Sequence, residues 1–211
     1  MTASLRILLA ALTGFALVSS ARAHPHVWAT VVSELVYAAD GSVTGIRHHW
    51  TFDDMFSAFA VQGLDSKVRG QFTREELAPL AKDSVESMKD DGYFTYATVG
   101  GLNVPFADPL PADYWVDYKD AIVTLNFTLP FKMPVKAKDL TIEVYDPSYF
   151  IAITLAKENP VRLVGAPAGC KVSLVYPREM TYAEGKLASQ DANALANWGS
   201  HFANKITVKC P

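Results

Sequence analysis

The sequence predicts an α+β fold, a mostly antiparallel sheet with several helices in a single compact domain of one or two lobes. Two features carry this. Runs rich in β-branched and aromatic residues recur from Val27 to the C-terminus. Helical patterns interrupt them without the regular βαβ alternation of a parallel sheet.

The chain opens with Arg6, an apolar run from Ile7 to Val18, and the small-x-small triplet Ala21-Arg22-Ala23. This is the layout of a cleavable secretory signal. The run is 12 residues, well short of the roughly 20 that span a bilayer as a helix. Residues 1–23 are therefore expected to be removed, leaving residues 24–211 as a soluble periplasmic domain that is not membrane-inserted. Loss of Arg6 and Arg22 takes the formal charge from −3 to −5. No cluster of Lys and Arg remains to displace counterions from phosphates, so nucleic acid is excluded as a partner.

Val27 to Tyr37 reads as a strand and Val43 to Thr51 as its return, with Asp40-Gly41 as a two-residue hairpin turn. The implied register sets Leu35 against Ile46, Ser33 against His48 and Val31 against Trp50. Extended further, it sets Val27 against Asp54 and His26 against Met55. His48 then faces inward with Trp50, and His49 outward.

Thr51 to Ala60 predicts a short helix with Thr51 as N-cap and Asp53 and Asp54 in its first turn. Thr73-x-x-Glu76 is a capping-box pattern ahead of a second helix in which Pro79 is a potential kink. Strands follow at Tyr93–Val99, Ile122–Leu129, Leu140–Tyr145, Tyr149–Leu155, Val161–Val164 and Val172–Tyr176. Ala183 to Ala203 predicts a third helix, and Ile206 to Val208 a last strand. Asp146 and His201 read as a turn residue and a surface or core residue.

Cys170 and Cys210 lack C-x-x-C spacing. In an oxidising compartment they are expected to form a disulfide rather than bind metal. Closing a loop of about 40 residues stabilises by on the order of 3–4 kcal/mol in the chain-entropy account.

Cleavage after Ala23 would expose His24-Pro25-His26, with an α-amine and two imidazoles within three residues. All three bind transition metals. Pro25 has no amide proton to lose, which rules out a square-planar site built on two deprotonated backbone amides. Other ligands must complete the sphere. The hairpin register brings Asp53 and Asp54 beside the N-terminus, with His48 as a further candidate. His24, His26, His48, Asp53 and Asp54 are thus the candidate ligands for zinc, nickel, cobalt or copper(II). Each has a plainer alternative: solvation for the N-terminal histidines, packing for His48, and helix capping for the two aspartates. The motifs of hydrolases, metalloproteases and phosphate-binding loops are absent, so no enzyme activity is expected. The enzymatic alternative is copper oxidation chemistry with His24 as an N-terminal brace.

His24-Pro25-His26-Val27-Trp28, Trp50-Thr51-Phe52-Asp53-Asp54-Met55-Phe56-Ser57 and Tyr145-Asp146-Pro147-Ser148-Tyr149 together resemble the periplasmic family catalogued as domain of unknown function 1007. That resemblance spans most of residues 24–211. It implies a periplasmic component of an uncharacterised transport system associated with nickel, cobalt or zinc permeases. Carried over, the histidine-proline-histidine start falls on His24 and His26, and the tryptophan-to-acidic motif on Trp50, Asp53 and Asp54. The expected function is therefore a metal-binding accessory that hands a divalent ion, zinc foremost, to or from an inner-membrane metal permease. The alternatives are the copper-dependent oxidoreductase and a metal-free docking module for a membrane partner.

Overall fold

The computed structural model describes residues 25–190 and 198–211. Residues 1–23, the expected signal, and His24 lie outside the described residues. The chain is mostly strand, arranged as two sheets, with three α-helices among the described residues. The helices are few, one for each of the three predicted, and the sheet is two sheets rather than one.

The first sheet has the order β5-β6-β2-β1-β8, with β9 also pairing with β1. Its strands are β1 (Val27–Tyr37), β2 (Val43–Phe52), β5 (Tyr114–Lys119), β6 (Ile122–Val135), β8 (Ile151–Leu155) and β9 (Val161–Val164). β8 and β9 run parallel to β1, and the other pairs are antiparallel. The second sheet, β10-β11-β7-β3-β4, is antiparallel throughout. It contains β3 (Thr95–Val99), β4 (Leu102–Val104), β7 (Asp139–Val144), β10 (Lys171–Val175) and β11 (Asn204–Lys209).

The β1–β2 register is the expected one from Ala29↔Phe52 to Val36↔Gly45. Its turn is different. Ala38 N–H donates to Ser42 O, and Gly41 N–H to Ala38 O. Only Gly41 of the turn has positive φ, so the loop has three residues, with glycine at the left-handed position. A bulge between Val36 and Tyr37 absorbs the extra residue and restores the register.

The two-residue turn with both φ positive lies instead at Asp120-Ala121, between Lys119 and Ile122. It contains no glycine, so β5 was not predicted from the sequence. Gly100-Gly101 makes a similar tight turn into the short strand β4, also unpredicted. β6 continues past Pro130, which lacks an N–H, because its carbonyl accepts from Ala107 N and Lys132 N–H donates to Pro105 O.

α1 (Asp54–Ala60) starts two residues later than predicted. Its N-cap is Asp53 and not Thr51, because Thr51 and Phe52 complete β2. α2 (Arg74–Ser87) has the predicted Thr73/Glu76 capping box and runs through Pro79. Of the predicted Ala183–Ala203 helix, α3 covers Tyr182–Gln190 and residues 198–202 form a 3₁₀ turn, while residues 191–197 lie outside the described residues. That turn crosses the Asp146-Pro147 loop so closely that a Cβ on Gly199 would stand 1.7 Å from Asp146 O. Only glycine fits there.

Apolar side chains of both sheets and of α2 form one core. Leu35, Ile46, Trp50, Phe127 and Leu129 come from the first sheet, Ile142 and Ile206 from the second, and Leu77 from α2. Each fully buried side chain of this size stabilises by about 1.5–3 kcal/mol. Asn204 links the sheets: its amide donates to Val144 O and Ile153 O and accepts from Leu155 N. Cys170 and Cys210 form the expected disulfide beside the β10–β11 pair.

Ala121 is exposed at φ 62°, a conformation costing a residue with a Cβ roughly 1 kcal/mol. Ala121→Gly is therefore expected to stabilise the fold by about 0.5–1 kcal/mol in denaturant unfolding. A loss of stability would show that the turn is not held in this conformation.

Candidate functional site

The N-terminal segment is fixed by two elements distant in sequence. On one side, Trp28 N–H donates to Asp53 Oδ2 at 2.9 Å, and Asp53 N–H donates to Trp28 O at 3.0 Å. Asp53 Oδ1 meanwhile accepts from Phe56 N at 2.8 Å, capping α1. One carboxylate thus joins the start of β1 to the start of a helix. Ser57, buried in the same helix, accepts Val123 N–H on its hydroxyl and ties α1 to β6.

On the other side, His26 and Val27 both donate their N–H to Phe150 O, and the His26 ring packs on the Phe150 ring with centroids 4.9 Å apart. Phe150 belongs to the loop held by Asp146. Asp146 Oδ1 accepts from Ser148 N and Oγ, and Oδ2 from Ile151 N. Asp146 is the turn residue expected, and it is buried.

All three sequence motifs therefore meet at one pole of the molecule. The strand ladder does not continue to His26↔Met55 as predicted. The chain leaves β2 for α1 at Asp53, and His26 is taken instead by the loop before β8.

His26 and Asp54 are exposed at this pole, and Asp54 Oδ1 accepts only the N–H of the next residue, Met55. Asp53 braces the segment through both oxygens. His24 lies outside the described residues. Among the described residues no three His, Cys, Asp or Glu side chains are grouped to hold a metal.

His48 is not part of the pole. It is fully buried between the sheets, with Nδ1 3.0 Å from Ser33 Oγ on β1 and Nε2 3.3 Å from Thr95 Oγ1 on β3. Thr95 commits its hydroxyl proton to Tyr93 O, so it accepts from His48 Nε2–H. Nδ1 then accepts from Ser33. In this neutral ring Nε2 carries the proton and the one free lone pair, on Nδ1, accepts from Ser33, which removes His48 from the candidate ligands. His49 faces outward as predicted. Asn126 donates its amide to Asp117, so its oxygen accepts from His49 Nδ1, while Nε2 stands 3.9 Å from Glu34.

The sequence profile of the family described as Protein of unknown function (DUF1007) matches residues 9–210. The chain belongs to this family. It is also similar to a protein of Haemophilus influenzae called only "Uncharacterized protein", 24% identical over 194 residues, 89% of this chain and 91% of the relative.

Sequence reasoning missed Phe150, which directly follows the Tyr-Asp-Pro-Ser-Tyr motif and holds His26. It also missed Thr95, whose role depends on the unpredicted packing of the second sheet against His48.

Burial, and then the neighbouring His49, push the His48 pKa down to about 3. An unfolded histidine titrates near 6.5, so between those values the unfolded chain binds a proton that the folded chain refuses. The stability present above pH 6.5 is lost as pH falls through this window, by up to about 1.4 kcal/mol per pH unit for the one group. Denaturant unfolding between pH 7 and 5 should show this loss, and His48→Gln should show a shallower slope. Equal slopes would contradict the buried neutral histidine.

Proposed function

We propose that this protein is a periplasmic metal-binding accessory that carries a divalent transition ion, zinc foremost with nickel and cobalt as alternatives, to or from an inner-membrane permease. The reciprocal Trp28–Asp53 pairing is the observation that supports it most. It fixes the N-terminal strand against the helix start, so that His26 and Asp54 share one exposed pole beside the point where His24 joins.

The donors suit such ions. Imidazole and carboxylate bind zinc, nickel and cobalt in mixed nitrogen and oxygen sites. The two cysteines are joined in a disulfide, so no thiolate competes as a ligand. His26 and Asp54 are too few for a closed structural site. His24, with its amine and ring, and water would complete the sphere, leaving a labile position that suits a carrier. Phe150 on the imidazole and the backbone bonds at Trp28 limit the mobility of the donor residue, as outer partners do in metal sites. No helix among the described residues is long and apolar enough to cross a membrane. A separate membrane partner therefore fits the transport role. Trp28, Met55, Phe59 and Phe150, all exposed, offer apolar contact area at the pole for such a partner.

The signal-processed protein, titrated calorimetrically with zinc, nickel and cobalt, is expected to bind one ion with a Kd of about 1 µM or tighter, equivalent to about −8 kcal/mol. A His24→Ala/His26→Ala double variant should lose this binding, Asp54→Asn should weaken it, and His48→Gln should leave it unchanged. Undiminished binding by the double variant would overturn the proposed site.

A further inference from the structure

We propose that a second site, separate from the pole, binds a linear organic ammonium ion such as a diamine or polyamine in the groove crossed by Lys89 and Asp108. Two clefts of about 470 and 260 Å³ lie on either side of this pair and share Lys89, Tyr93 and Asp108. The larger is of ligand size. Together they suit an elongated molecule rather than a compact one.

The groove already holds an ammonium group. Lys89 Nζ sits 2.5 Å from Asp108 Oδ2, while Tyr93 Oη donates to Asp108 Oδ1 at 2.7 Å. The pair raises the Lys89 pKa and lowers that of Asp108. Lys89 and Asp108 side chains are both more than half exposed, and such a pair holds weakly. The lysine can therefore swing out and leave its seat to a ligand ammonium.

Charge and walls favour the same class. Asp90 lines the larger cleft and Glu86 the smaller, so the linings carry three carboxylates, counting Asp108, against the one ammonium of Lys89. Lys132 acts on Asp108 only through space. The larger cleft is walled by Tyr93, Tyr96 and Phe106, and aromatic faces attract cations. These walls are rigid. Tyr96 stacks on Tyr145 at 4.6 Å, and Phe106 on Phe131 at 4.6 Å. A central ammonium on Asp108 would allow a second to reach Asp90 or Glu86 along the groove.

The lysine as occupant makes the test specific. The full processed protein is titrated calorimetrically with putrescine and with spermidine at low ionic strength, beside Lys89→Ala, Asp108→Asn and, as a control for the overall negative charge, Asp65→Asn on a distant exposed loop. Saturable binding is expected for the wild type. Lys89→Ala, which vacates the seat, should bind about fivefold tighter, Asp108→Asn should bind about tenfold more weakly, and Asp65→Asn should be unchanged. Thermal melts check that each variant is folded. No saturable binding by the wild type overturns the proposal. So does folded Lys89→Ala binding no more tightly, or Asp65→Asn losing as much as Asp108→Asn.

Discussion

The carboxylate of Asp53 is the joint on which the candidate site depends. It accepts from Trp28 N–H with one oxygen and from Phe56 N–H with the other. Each bond alone is an ordinary contribution, the cap worth about 1 kcal/mol. Made by one side chain, they leave little freedom in how β1 enters the sheet relative to α1. His26, two residues before Trp28, and Asp54, next to Asp53, inherit that constraint. The Phe150 loop adds a third support, held in turn by buried Asp146 and pressed by Gly199.

A second constraint runs through the core. His48 connects the sheets through Ser33 and Thr95, and Asn204 does so through Ile153 and Leu155. Buried polar groups of this kind are costly when unpaired and specify a unique packing when fully satisfied. His48, a further candidate ligand from the sequence, is thus a structural element of the core, whereas His26 lies exposed at the chain start. The neutral ring also gives the fold a built-in sensitivity to acid.

Strand pairing was legible where side chains alternate. The β1–β2 register follows from matching apolar residues, and the inward face of His48 follows from it. Turns were less legible. Asp40-Gly41 has the composition of a two-residue turn but forms a longer one, whereas Asp120-Ala121 forms the two-residue turn without the expected glycine, because the pairing of β5 with β6 imposes the conformation. The N-cap was misplaced by two residues because Thr51 and Asp53 are both competent caps, and only the end of the β2 ladder decides between them. The nearness of Asp53 to the start of β1 was legible from the hairpin register. The hold of Phe150 on His26 was not, since Phe150 arrives from more than a hundred residues away.

The pole and the ammonium groove use different chemistry, imidazole with carboxylate at one and carboxylate with aromatic faces at the other, so either can fail without the other. The account turns on the pole. The most direct measurement is an NMR titration of the processed protein with zinc, following the ring nitrogens of all five histidines and the carboxyl carbon of Asp54. The account predicts that His24, His26 and Asp54 signals move together and saturate at one equivalent, while the His48 ring keeps the pattern of a neutral Nε2–H tautomer. Zinc binding that leaves His26 and Asp54 unmoved, or that shifts His48, would contradict it.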